Sequence, residues 1–144
     1  ASHYHTHINV ELLNSPRIYH GLWAYKVSKL ANVLFTFELN RRYASRGLRA
    51  FAVDPGLVNT EIGLKETDFL ARLVWNSRRR AGTHPEVPAR TILYLSREAA
   101  FQNTGDIYWK DSHPIAPSRQ ALDAKTAHKL WVKSCQLCGI PEDW

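Results

Sequence analysis

The chain has 144 residues and 16.5 kDa, with 44% apolar and 22% charged residues and a net charge of +6. That length suits one domain, and five Trp, six Tyr and five Phe carry too much apolar surface for a disordered chain. No apolar run approaches the roughly 20 residues of a membrane helix, no signal peptide opens the chain, and two Cys cannot staple a fold of this size.

Residues 1–21 are rich in His and Asn, weakly periodic and broken by Pro16, which predicts loop. From Leu22 to Ala44 apolar residues recur at three- and four-residue spacing. Val27, Leu30, Ala31, Leu34 and Phe37 spread over a broad face, which predicts a largely buried helix ended by Gly47. Leu48 to Asp54 is a short apolar run between a Gly and Pro55-Gly56 and predicts a strand of a parallel sheet covered on both faces. Thr67 to Arg78 predicts an amphipathic helix with Phe69, Leu70, Leu73 and Val74 on one side. Pro85 to Ser96 predicts a further helix with Ala89, Ile92, Leu93 and Leu95 inward. A turn at Thr104-Gly105-Asp106 leads to a strand at Ile107-Tyr108-Trp109. Ser118 to Leu137 predicts a closing helix with Leu122, Ala127, Leu130 and Trp131 inward.

Two strands and about four helices do not complete an open parallel sheet, which usually has about four to six strands. The pattern predicts an α/β fold and reads as the second part of a larger domain, residues 1–144 being its C-terminal portion. The Ala1 start and the absence of Met agree with that expectation.

The chemistry centres on Tyr25 and Lys29, four apart and so on one helix face. A free phenol titrates near 10 and is a poor base at neutral pH. A nearby ammonium favours the phenolate and lets the pair exchange a proton with a substrate hydroxyl or carbonyl. The surrounding residues sharpen this. Tyr25, Ser28 and Lys29 form a Tyr-x-x-Ser-Lys motif. One helix and one strand later, Pro55, Gly56, Val58 and Thr60 form Pro-Gly-x-Val-x-Thr.

The two motifs in this order resemble the short-chain dehydrogenase/reductase family. The run Ser28-Lys29-Leu30-Ala31-Asn32-Val33-Leu34-Phe35 and the tail Trp131-Val132-Lys133-Ser134-Cys135 resemble its retinol-dehydrogenase-like branch. The resemblance implies part of a Rossmann-like, doubly wound parallel sheet whose N-terminal strands lie outside this chain. It implies an oxidoreductase moving a hydride between NADP or NAD, NADP being favoured, and a lipophilic carbonyl or alcohol such as a retinoid, steroid or aldehyde.

By resemblance Tyr25 is the catalytic acid/base. Lys29 assists it and holds the nicotinamide ribose, and Ser2 orients the substrate oxygen. Pro55 and Gly56 end a strand against the nicotinamide, where a glycine admits close backbone approach. Val58, through its backbone, and Thr60, through its hydroxyl, hold the carboxamide or pyrophosphate. Ser28 is read as motif without catalytic role, facing away from Tyr25. The same resemblance leaves open a homo-oligomer, and membrane association through a segment outside this chain, with a location in the cytoplasm or on the cytoplasmic side of a membrane.

The family's Gly-rich phosphate-binding turn, the residue that selects NAD or NADP, and the structural Asn of the proton relay have no match in this sequence. That departure supports an alternative, an inactive truncated variant acting as an interaction module. Arg41, Arg42, Arg46 and Arg49, with Arg78 to Arg80, read as a solvated face. With no recognisable binding motif, they do not make a nucleic-acid partner. His3, His5 and His7 alternate as on a strand face, but no Cys, Asp or Glu completes a metal set. Cys135 and Cys138, at a helix end, read as reduced, partly buried thiols. Trp75 and Trp109 read as core or interface.

Overall fold

Helix α1 runs over Gly21–Tyr43, a 23-residue rod about 35 Å long. The computed structural model describes residues 3–13, 20–59, 82–97 and 105–143. The predicted helix over 67–78, with Trp75, therefore lies outside the described residues, as do Ser2 and Thr60. These residues divide into two units, 1–52 with 116–144 and 53–115.

In the first unit α1 packs along helix α3, Ala124–Cys138. The buried positions of α1 include Val27, Leu30, Leu34 and Glu38, three and four apart as an inward stripe requires. Phe37 and Ala31 are only half-buried, and Leu22, Trp23 and Phe35 are exposed, so α1 is buried on one side rather than broadly. The helix ends at Tyr43. A single 3-10 turn over Ala44–Arg46 then closes on Gly47 at φ +83°, a left-handed position that suits a residue without Cβ. Asn40 fastens the chain that returns from this turn. Its side-chain NH₂ donates to the Ala50 carbonyl at 2.7 Å, and its oxygen accepts the Ala50 N–H at 3.1 Å.

The closing helix begins later than its pattern predicts. Arg119–Leu122 is a 3-10 turn capped by Ser118, and Asp123 then caps α3 by accepting the Lys125 N–H. That change of helix type turns Leu122 outward, whereas Ala127, Leu130 and Trp131 are buried as expected. Tyr43, Trp131 and Cys135 form a tight cluster with Leu39 against it. Phe35 stacks on Trp131 with ring centroids 5.2 Å apart. Cys135 is buried and Cys138 exposed, both as free thiols.

The second unit carries a small sheet. Strands β1 (Ala52–Val53, at the unit boundary), β2 (Tyr108–Lys110) and β3 (His113–Pro114) lie in the order β1-β2-β3, with β2 and β3 antiparallel. The predicted strand over 48–54 contracts to two paired residues. β3 escapes the sequence pattern because it is two residues long and contains Pro114. Asp111 and Ser112 join β2 to β3 at φ +49° and +62°, the two left-handed residues of a tight hairpin.

Helix α2, Glu86–Arg97, packs on β2. Its inward residues are Thr91 and Leu95, not Ala89, Ile92 and Leu93, which are exposed. Thr91 outcompetes the larger apolar side chains for the inward face because its hydroxyl has a buried task. It accepts the Ser112 N–H of the hairpin at 3.0 Å. Trp109 is buried, as expected of core, and its indole N–H donates to the Asp106 carbonyl.

Candidate active site

Tyr25 stands in the second turn of α1 and is 50% exposed, so its phenol is open to a ligand. The i,i+4 geometry of the helix brings Lys29 beside it. The ammonium nitrogen lies 5.2 Å from the centroid of the Tyr25 ring. Ser28 is one turn along from Tyr25. Its hydroxyl donates back to the Tyr25 carbonyl at 2.8 Å, a local side-chain-to-backbone bond. Leu22 is exposed about one turn before Tyr25 on the same side of α1, and Trp23 is exposed on the other side.

The second motif follows β1. Asp54 donates its N–H to Trp109 at 2.8 Å, which ends the sheet pairing, and its carboxylate accepts the Gly56 N–H at 3.0 Å. This Asx turn folds Pro55 and Gly56 back sharply. The Asp-Pro-Gly triplet signals such a turn in the sequence, although the motif reading gave Asp54 no role. Gly56 sits at φ +66°, and a Cβ there would come no nearer than 3.8 Å to the Lys110 side chain. Conformation rather than crowding thus calls for glycine.

Val58 forms a parallel bridge with Thr83. The bridge is made by its neighbours: Asn59 N–H donates to the Thr83 carbonyl, and Thr83 N–H to the Leu57 carbonyl. The N–H and C=O of Val58 itself make no hydrogen bond to a described residue.

The structure therefore brings Tyr25 and Lys29 together in one unit and Pro55, Gly56 and Val58 together in the other, while Ser2 and Thr60 lie outside the described residues. The residue after Ser2, His3, is buried, and its Nε2 accepts the Ser118 N–H at 3.3 Å. His3 and His5 lie in a turn rather than a strand, and His5 and His7 are exposed, so the three do not share a face.

The strongest electrostatic feature lies elsewhere on α1. Glu38 has a fully buried side chain. Arg41 donates to it through two nitrogens at 2.6 and 2.7 Å, and Arg42 through one at 2.7 Å. Burial by itself would raise the Glu38 carboxyl. The hydrogen bonds and charges of the two arginines outweigh it and hold the group at about 2. Arg42 also donates to His128 Nδ1 at 3.0 Å and to the Glu142 carbonyl at 3.1 Å, and lies over the Trp131 ring. Arg46 lies over the Tyr43 ring. Arg41, Arg42 and Arg46 are thus ordered by specific partners and are not simply a solvated face. The sequence signal for this, Glu38 followed by Arg at i+3 and i+4, was present.

No family model matches the chain. Retinol dehydrogenase 11 of Homo sapiens is 32% identical over 142 residues, covering 99% of this chain and 44% of that protein. The chain is similar in sequence to retinol dehydrogenases. Retinol dehydrogenase 12 of Mus musculus is 34% identical over 128 residues, covering 89% of the chain and 40% of the relative. Polyprenol dehydrogenase of Homo sapiens is 32% identical, covering 97% and 43%. The chain thus spans less than half the length of these curated relatives. An uncharacterised protein from Mycobacterium paratuberculosis has a crystal structure that matches with a TM-score of 0.65. It is 34% identical, and the match covers 96% of this chain and 47% of that one. These relatives agree with the resemblance read from the Tyr25 and Pro55 motifs.

Proposed function

We propose that this chain carries the proton-transfer part of a short-chain oxidoreductase within a Rossmann-like α/β domain. Its reaction would be hydride transfer between NADP, or NAD, and a lipophilic carbonyl or alcohol. The observation that carries the reading is the Tyr25–Lys29 pair, an exposed phenol with an ammonium 5.2 Å from its ring. Homology to dehydrogenases of retinol and polyprenol supports the reaction class and a lipophilic substrate.

The residues present fit a nicotinamide. Val58 offers a peptide N–H and C=O that make no hydrogen bond among the described residues and suit a carboxamide, and the Gly56 turn presents backbone without a side chain. Lys29 has donors for a ribose hydroxyl. When bound, the cofactor supplies or receives the hydride. In the reducing direction the Tyr25 hydroxyl donates a proton to the substrate oxygen as negative charge builds there, and the Lys29 charge stabilises the phenolate left behind. In the oxidising direction the same phenolate removes the proton. Leu22, exposed three residues before Tyr25 on the same helix face, favours an apolar substrate next to the phenol. Ser2 orients the substrate oxygen, and Thr60 assists Val58 on the cofactor.

The test is NADPH oxidation with retinal or another long-chain aldehyde, paired with calorimetry of NADPH binding. Tyr25→Phe is expected to lower turnover by about 10²–10⁴-fold, the usual worth of a general acid, and to leave NADPH affinity unchanged. Turnover retained in Tyr25→Phe overturns the assignment.

A further inference from the structure

The charge of this chain is unevenly shared. Residues 1–52 with 116–144 hold eleven Lys and Arg against five Asp and Glu, whereas residues 53–115 hold eight of each. The whole net charge of +6 thus belongs to the first unit. Part of it is neutralised inside, where Arg41 and Arg42 serve Glu38. The rest includes a row on α3. Lys125, Lys129 and Lys133 follow one another at four-residue spacing, and Leu137 takes the next place in the same row. At 1.5 Å per residue the row is about 18 Å long.

The opposite side of α3, with Ala127, Leu130, Trp131 and Cys135, is buried; on the row itself Lys125, Lys129 and Leu137 are exposed and Lys133 is half-buried. Lys129 and Lys133 have no carboxylate within ion-pair distance among the described residues. Beside them a groove of about 320 Å³ opens between the Val10–Leu12 turn and α3. It is lined by Glu11, His128, Lys129, Val132, Lys133 and Gln136. Asp123 faces the Lys125 end, but its carboxylate is engaged in capping α3. Leu137 is 56% exposed, and Leu122 just before α3 is 54% exposed.

We propose that this face of α3 is a docking surface for an anionic lipid bilayer. The lysines would meet phosphate-bearing headgroups, one of them seated in the groove, and Leu137 would enter the acyl boundary. Lysines flanked by exposed leucines rather than by stacking aromatics suit a lipid interface better than a nucleic acid. Among the described residues no helix is long and apolar enough to cross a membrane. The proposal stands independently of the catalytic reading.

The experiment is cosedimentation of the 144-residue chain with phosphatidylcholine vesicles and with phosphatidylcholine–phosphatidylserine vesicles. Binding is expected only to the second kind and should weaken as salt is raised. The triple variant Lys125→Gln, Lys129→Gln, Lys133→Gln should lose about 100-fold in partitioning, since each lysine near such a surface contributes about a factor of five. Leu137→Ser should weaken the binding that survives at high salt. Arg46→Gln, which removes one charge from the turn that follows α1, should have little effect. Circular dichroism matched to the parent shows that each variant is folded. Absence of binding to the anionic vesicles overturns the proposal. So does equal binding to both vesicle types, unchanged binding by the triple variant, or binding of soluble glycerol phosphate without vesicle binding.

Discussion

Replacing Glu38 by Gln removes the one negative charge that Arg41 and Arg42 share inside the first unit. A carboxyl with an ordinary value of 4.5 that is held at about 2 binds its proton about 300-fold more weakly when folded, equivalent to about 3 kcal/mol. Arg41 is 56% exposed, and solvent screening of its share brings the expected loss to about 2 kcal/mol. Because the folded-state value is depressed, the contribution is complete above about pH 5 and fades as pH falls through 4.5 toward 2.

The assay is urea unfolding of both proteins at pH 7, 5 and 3. Glu38→Gln should be less stable by about 2 kcal/mol at pH 7 and pH 5, and the gap should shrink to about half or less at pH 3. A gap of the same size at all three pH values would mean that shape rather than charge is responsible, and would refute the reasoning. So would no gap at pH 7.

Asn40→Ala frees both polar groups of Ala50 at once and should cost about 2 kcal/mol, read as a lower urea midpoint. Asp111→Asn with Ser112→Gly places the residues that tolerate positive φ in the β2–β3 hairpin. The pair should stabilise the chain by about 1 kcal/mol without disturbing the Thr91 bond, which uses the backbone N–H of residue 112. Trp131→Ala removes the side chain that Phe35 and Tyr43 pack against, and whose indole N–H is bonded to Glu142. A loss of about 3–5 kcal/mol is expected, with faster proteolysis of the C-terminal tail.

Much of the helical structure is legible in the residues themselves. α1 appears within a residue of its expected span, because a 23-residue apolar stripe with a Gly stop states both its period and its end. The Tyr25–Lys29 pairing is equally legible, since helix geometry makes i and i+4 neighbours before any tertiary contact forms. The Pro55-Gly56 turn follows from local chemistry, with Asp54 accepting the Gly56 N–H two residues on.

The inward face of α2 was decided elsewhere. Ile92 and Leu93 read as core by hydrophobicity, but Thr91 is buried because it satisfies the Ser112 N–H of a hairpin 21 residues away. The same holds for Glu38. Its spacing from Arg41 and Arg42 is a sequence fact, yet its burial, and with it the depressed titration, exists only because α3 and the tail around Glu142 close over that side of α1. Local spacing acts within a few residues and survives in the unfolded chain as a preference. Burial, desolvation and the pairing of distant backbone groups arise only once separate segments share one core, and the sequence of either segment alone does not contain them.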